Sequence, residues 1–182
     1  MFEMSGLVAT AFGAFLAAGL SMAGSAYGTH LVGSANSTAL AEGHEDKFTN
    51  LIILQVLPGT QGIYGFIVLF MLLSTSGVSG SGGEIVMTAE AGQVALWAGL
   101  LMGVTGLSSA MLQGKVAAMS VPVAIKQPEA TMKAVIFCGI VELYAVLGLI
   151  ASILLINSGI KPGVDPEEMI GSIRLLGSFF GF

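Results

Sequence analysis

Four stretches of this 182-residue chain, 7–32, 51–73, 91–112 and 134–156, stay mostly apolar for more than twenty residues each. About 20 such residues carry a helix across the hydrocarbon core of a bilayer. Lipid offers no partner to a free backbone N–H or C=O, so runs of this kind have to close their own hydrogen bonds as helices. The chain is therefore expected to be an all-α membrane protein with four transmembrane helices. Only 9% of its residues are charged, against 54% hydrophobic, and its mean hydropathy is +0.90. Soluble domains carry about 25% charged residues, so this chain lacks the polar surface to face water all round. A formal charge of −5 points away from nucleic acid as a partner. The 26 glycines follow no collagen or linker period and suit helices packed closely through small residues. The single cysteine, Cys138, excludes an intrachain disulfide framework and reads as a packing residue. No basic residue precedes Lys47, so the start lacks the charged region of a signal peptide and the first run is expected to remain in the mature protein.

The connectors orient the helices. Segment 41–48 reads AEGHEDKF, 74–90 is rich in Gly and Ser with Glu84 and Glu90, and 121–133 contains Pro122, Lys126, Pro128, Glu129 and Lys133. Lys47, Lys115, Lys126 and Lys133 gather at the first and third connectors and none lies at the second. The positive-inside rule places 41–48 and 121–133 in the cytoplasm, with both termini outside. Lys161 and Arg174 dilute this bias without reversing it. Trp97 falls near the outer interface, where an aromatic anchor is expected. His30 and His44 fall toward the cytoplasmic side and are read as having no special role.

The two halves are alike. GSAYG at 24–28 matches SAMLQG at 109–114, setting Gly28 against Gly114 and Tyr27 against Gln113. LPGTQGIYG at 57–65 lies over GIVELYAVLG at 139–148, setting Gln61 against Glu142, with a longer turn in the first half. This predicts two duplicated hairpins, 1–76 and 77–160. In the tail, 161–182, Asp165-Pro166-Glu167-Glu168 is a helix start, and Met169, Ile170, Ile173, Leu176 and Phe180 share one face, as in an interfacial helix. Small residues recur every four positions at Ala9, Gly13, Ala17, Ser21 and Ser25, and at Ala91, Ala95, Gly99 and Gly103. Such rows serve either packing within one chain or an inner ring of helices around an axis.

Of eleven acidic residues, Glu142 alone lies well inside a span. An acid there costs about 3 kcal/mol on insertion scales and marks a functional site by default. The bland alternative is a protonated Glu bonded to a neighbouring helix. The third connector turns near 126–127, and Gln113 lies about as far before that turn as Glu142 lies after it, so the two share a similar depth. The repeat brings Gln61 to the same level, with Thr60 beside it. Pro58 removes a donor and frees a carbonyl near Leu54, and with Gly59 it loosens the backbone so that the carbonyl of Leu57 can face a ligand. One carboxylate, two amide oxygens, a hydroxyl and a carbonyl suit a hard monovalent cation better than a divalent one. A proton needs only Glu142, whereas a dehydrated Na⁺ needs the other oxygens. No Lys or Arg lies at this depth, so neutralisation has to come from a bound cation or another protein. A small secondary transporter or channel subunit would line a continuous polar path, but these groups cluster at one level. A purely structural membrane protein leaves their coincidence unexplained.

ILQVLPGTQGIYGF (53–66), LQGKVAA (112–118) and IVELYAVLG (140–148), in that order, resemble the proteolipid rotor-ring subunit of V-type and archaeal-type rotary ATPases. The likeness is strongest to the bacterial sodium-translocating branch and covers about 7–156. It implies a homo-oligomeric ring of four-helix subunits in membrane lipid, with the first and third helices inside and the second and fourth outside. Each subunit would carry one Na⁺, or alternatively H⁺. Glu142 would be the essential carboxylate, Gln113, Gln61 and Thr60 side-chain ligands, Leu57 a carbonyl ligand, and Tyr64 the hydrogen bond that locks the site. Gln61 stands where a second ion-carrying Glu could stand, so one site per two hairpins is implied. The ring would turn against a stator subunit supplying an arginine and would couple through central-stalk subunits to a soluble ATPase head. This chain has no P-loop and no nucleotide site of its own. Members of this family usually stop soon after the fourth helix, so the tail 161–182 is a departure.

Overall fold

A computed structural model of the protein describes residues 5–76 and 87–160. Its helices are α1 (Gly6–Ala41), α2 (Phe48–Val56), α3 (Thr60–Thr75), α4 (Ala89–Lys126) and α5 (Thr131–Gly159). Single 3₁₀ turns at Glu45–Lys47, Leu57–Gly59 and Pro128–Ala130 join α1 to α2, α2 to α3, and α4 to α5. The second turn keeps α2 and α3 on one rod, so four rods are long and apolar enough to cross a membrane: Gly6–Ala41, Glu45–Thr75, Ala89–Lys126 and Pro128–Gly159. The all-α, four-span expectation holds. The interfacial helix expected from Asp165 to Phe180, the tail 161–182 and Glu84 lie outside the described residues, as does position 77, where the second hairpin is expected to begin.

Two helices outrun their apolar windows. α1 continues past 32 to Ala41, and α4 past 112 to Lys126. Hydropathy marks where side chains meet lipid, whereas a helix persists until its backbone is interrupted. For α1 the interruption is Gly43, at φ 89, a conformation glycine adopts without strain. For α4 it is Gln127, held at φ −139 and ψ 71 because the following Pro128 disfavours helical geometry in its predecessor. Pro122, expected in the connector, lies inside α4. The third connector accordingly shrinks from 121–133 to about Gln127–Ala130. Asn50 ties the two turns at this end together, its Nδ2 donating to Pro128 O at 2.9 Å and Thr131 Oγ1 at 2.8 Å.

α1 and α4 make the broadest contact in the molecule, and they do it glycine to glycine. A Cβ placed on Gly92, Gly99 or Gly114 would overlap the backbone of Gly6, Gly13 or Gly28. The offset is constant along the pair (6 to 92, 13 to 99, 28 to 114), so the helices run parallel and in register. The Gly28–Gly114 pairing read from the repeat is a physical contact. Ala9, Gly13, Ala17, Ser21, Ser25, Ala95, Gly99 and Gly103 are all buried within the single chain. Within the chain these rows serve more than one neighbour: Gly13 and Gly99 meet between α1 and α4, whereas Ala17, Ser21 and Ser25 also lie against Gly62 and Gly65 of α3. α3 closes on α1 at Gly65, where a Cβ would meet Ala17 O, and α5 closes on α4 at Gly148, against Thr105.

Candidate cation-binding site

Four groups of the second rod fall at i, i+3, i+4 and i+7, a single helical face: Leu57, Thr60, Gln61 and Tyr64. Pro58 sets the first of them. Instead of breaking the rod it tightens one turn, in which the Thr60 N–H bonds to Leu57 O. The Thr60 hydroxyl reaches the same carbonyl at 3.1 Å. Gly62 N–H donates to Ser25 Oγ at 2.8 Å, bracing this face against α1.

α4 and α5 supply the other side. Glu142 Oε1 accepts from Thr60 Oγ1 and from Tyr64 Oη, both at 2.7 Å. Its Oε2 accepts from Gln113 Nε2 at 3.3 Å. Gln113 Nε2 also donates to Cys138 O at 3.1 Å, and Gln113 Oε1 accepts from Gln61 Nε2 at 2.7 Å. Gln61 and Gln113 are fully buried, whereas Glu142 and Tyr64 are half-buried, so the carboxylate lies at the edge of the cluster. Thr60 Oγ1 sits among three other oxygens: Glu142 Oε1 at 2.7 Å, Leu57 O at 3.1 Å and Gln61 Oε1 at 3.4 Å.

All six residues named from the sequence, Leu57, Thr60, Gln61, Tyr64, Gln113 and Glu142, converge at this place. Tyr27, the repeat counterpart of Gln113, is exposed instead and takes no part. Sequence reasoning passed over Ser109, whose hydroxyl accepts from Gln61 Nε2 at 3.2 Å and donates to Val141 O at 3.0 Å. Its signal was available, since Ser109 lies one turn before Gln113 on α4. The backbone carbonyls of Cys138 and Val141 left no signal, because any residue type supplies one.

Charge balance is simple here. The one ion pair among the described residues joins Lys47 to Asp46 in the first connector, and none touches Glu142. No cluster of three or more His, Cys, Asp or Glu occurs among the described residues. What remains is one carboxyl group within a set of neutral oxygens, a donor chemistry suited to a singly charged hard cation.

Two segments, 12–72 and 96–155, each match the family model for the ATP synthase C subunit. The chain belongs to the ATP synthase C subunit family. It is 41% identical over 133 residues to the V-type sodium ATPase subunit K of Enterococcus hirae, covering 73% of this chain and 80% of that protein. To the A-type ATP synthase subunit K of Methanocaldococcus jannaschii it is 31% identical over 163 residues, covering 90% and 68%. Two matches in one chain make it a duplicated member of the family and account for the parallel registration of α1 with α4. Within this ATP synthase C subunit homologue the carboxyl group belongs to the second repeat, and the first repeat has Gln61 at the matching position.

Proposed function

We propose that this chain is the membrane rotor subunit of a V/A-type rotary ATPase and that each copy carries one Na⁺ at Glu142. In this reading Glu142, Thr60, Leu57, Gln61 and Gln113 provide the oxygens around the ion, and Tyr64 donates to the carboxylate and closes the mouth. Identical copies form the ring, built from hairpins 1–76 and 77–160. A stator arginine neutralises Glu142 when the ion leaves, and central-stalk subunits link the ring to ATP turnover in a soluble head. The connectors near 41–48 and 121–133 face the cytoplasm.

One observation carries the reading. A carboxyl group in a membrane-spanning helix has only uncharged hydrogen-bond partners. Carrying an isolated charge through hydrocarbon is expensive, and a small cation bound by the same groups cancels that charge. Sodium is favoured over the proton by the oxygens around Thr60, at 2.7–3.4 Å from its hydroxyl. A proton has no use for Leu57 O or Gln61 Oε1. The relative from Enterococcus hirae, whose name specifies a sodium ATPase, supports the same choice.

The test is labelling by a hydrophobic carbodiimide, which attacks a protonated carboxyl. Glu142 is the expected site, and Na⁺ protects it in competition with protons, more strongly as pH rises. Labelling that follows pH but ignores Na⁺ would replace Na⁺ with H⁺ as the cargo. Labelling elsewhere, with Glu142 untouched, would remove the site.

A further inference from the structure

We infer that Ser109 is a positioning residue that helps hold the oxygen end of the Gln61 amide toward Thr60 and the ion, and so sets the preference for Na⁺ over H⁺. This rests on the proposed sodium reading and deepens it.

A primary amide is nearly symmetric in shape, and only its partners decide where oxygen and nitrogen lie. The two hydrogens of Gln61 Nε2 go to Gln113 Oε1 at 2.7 Å and Ser109 Oγ at 3.2 Å. Ser109 is fully engaged as a donor, because its own hydrogen goes to Val141 O at 3.0 Å. It therefore presents only lone pairs to Gln61. Turning the Gln61 amide over would set its oxygen against those lone pairs and against Gln113 Oε1. The oxygen is left on the other side, 3.4 Å from Thr60 Oγ1. Gln113 is held in turn, with its Nε2 hydrogens on Cys138 O at 3.1 Å and Glu142 Oε2 at 3.3 Å.

The chain of bonds thus runs from one backbone carbonyl of α5, Val141 O, through Ser109, Gln61 and Gln113 to another, Cys138 O. Both ends are on the helix that bears Glu142, so amide direction is tied to the position of the carboxylate. Ser109 is buried, and no other acceptor among the described residues holds the second Gln61 hydrogen. Without its hydroxyl, one Gln61 hydrogen loses its acceptor and the bond to Gln113 Oε1 alone holds the amide, so its oxygen is less firmly kept beside Thr60. A proton, which needs only Glu142, is indifferent to that change.

The experiment compares carbodiimide labelling of Glu142 across Na⁺ concentration and pH, in membranes holding the assembled natural chain, Ser109→Ala, Ser109→Cys or Ser109→Thr. With Ser109→Ala the Na⁺ concentration for half-protection rises about tenfold, the cost of one buried donor left without an acceptor. The pH profile of labelling without Na⁺ stays in place. Ser109→Cys, similar in size but a weak acceptor, shows the same loss, and Ser109→Thr, which keeps the hydroxyl, retains protection within about twofold. Unchanged Na⁺ protection in Ser109→Ala, with the natural chain protected, would overturn the inference alone. So would a parallel shift of the Na⁺-free pH profile, which would mark a merely structural role. No Na⁺ protection in the natural chain would overturn the sodium reading and this inference with it.

Discussion

At the residue scale, the carboxyl group of Glu142 is held by three donors from the second rod and α4. Thr60 and Tyr64 bind one oxygen at 2.7 Å, and Gln113 binds the other at 3.3 Å. The three differ in what else they can do. Thr60 has oxygen lone pairs to offer a cation while it donates, and Gln113 couples Glu142 to Gln61. Tyr64, half-buried at the edge, only caps. Tyr64→Phe removes that cap and leaves the cluster of oxygens around Thr60 in place. Half-protection of Glu142 by Na⁺ should then need roughly tenfold more ion, about 1.5 kcal/mol for one hydrogen bond to a charged group, and bound Na⁺ should exchange faster. Unaltered exchange of radioactive sodium in Tyr64→Phe would deny it a locking role.

At the element scale, the site depends on how closely α1 and α4 approach. Their contact is glycine on glycine at Gly13–Gly99 and Gly28–Gly114, and the second pair lies next to Gln113. A methyl group has no room at either. Gly114→Ala should push the helices apart beside the site, at a cost of about 1–3 kcal/mol for overpacking, and should reduce both assembly and Na⁺ protection. Gly139→Ala is the control, since a Cβ there meets nothing within 4 Å. Equal behaviour of the two variants, judged by yield of assembled oligomer in mild detergent, would contradict the close-packing account. The Pro58 turn is the other device at this scale. It tightens one turn of the second rod, so that Leu57 O, Thr60 and Gln61 meet on one face.

At the scale of the whole molecule, both connectors at 41–48 and near 127–130 lie at one end, clasped by Asn50. In the proposed orientation the basic residues near them put that end in the cytoplasm. Cysteines introduced at Glu45 or Glu129, both exposed, should react with a membrane-impermeant maleimide in inside-out vesicles and not in right-side-out ones. The natural Cys138 is fully buried and should stay silent. The opposite pattern would invert the topology without touching the ion site.

Much of this protein is legible in one dimension. Apolar run length counts the spans, because lipid forces each to be a closed helix. Helical spacing places Leu57, Thr60, Gln61 and Tyr64 on one face, and equal distance from a turn sets Gln113 level with Glu142. These are local or symmetric relations, and sequence encodes them directly. Hydropathy windows end α1 and α4 too early, because they report lipid contact and not backbone continuity, which Gly43 and Pro128 interrupt locally. Tertiary structure alone decided which helices the small-residue rows serve, with α1 and α4 meeting at Gly13 and Gly99 and α3 lying against Ala17 and Ser25. The direction of the two amides belongs to it as well. That direction depends on Ser109, Val141 O and Cys138 O, groups brought together by packing between separate helices, two of them backbone atoms that carry no mark of residue type.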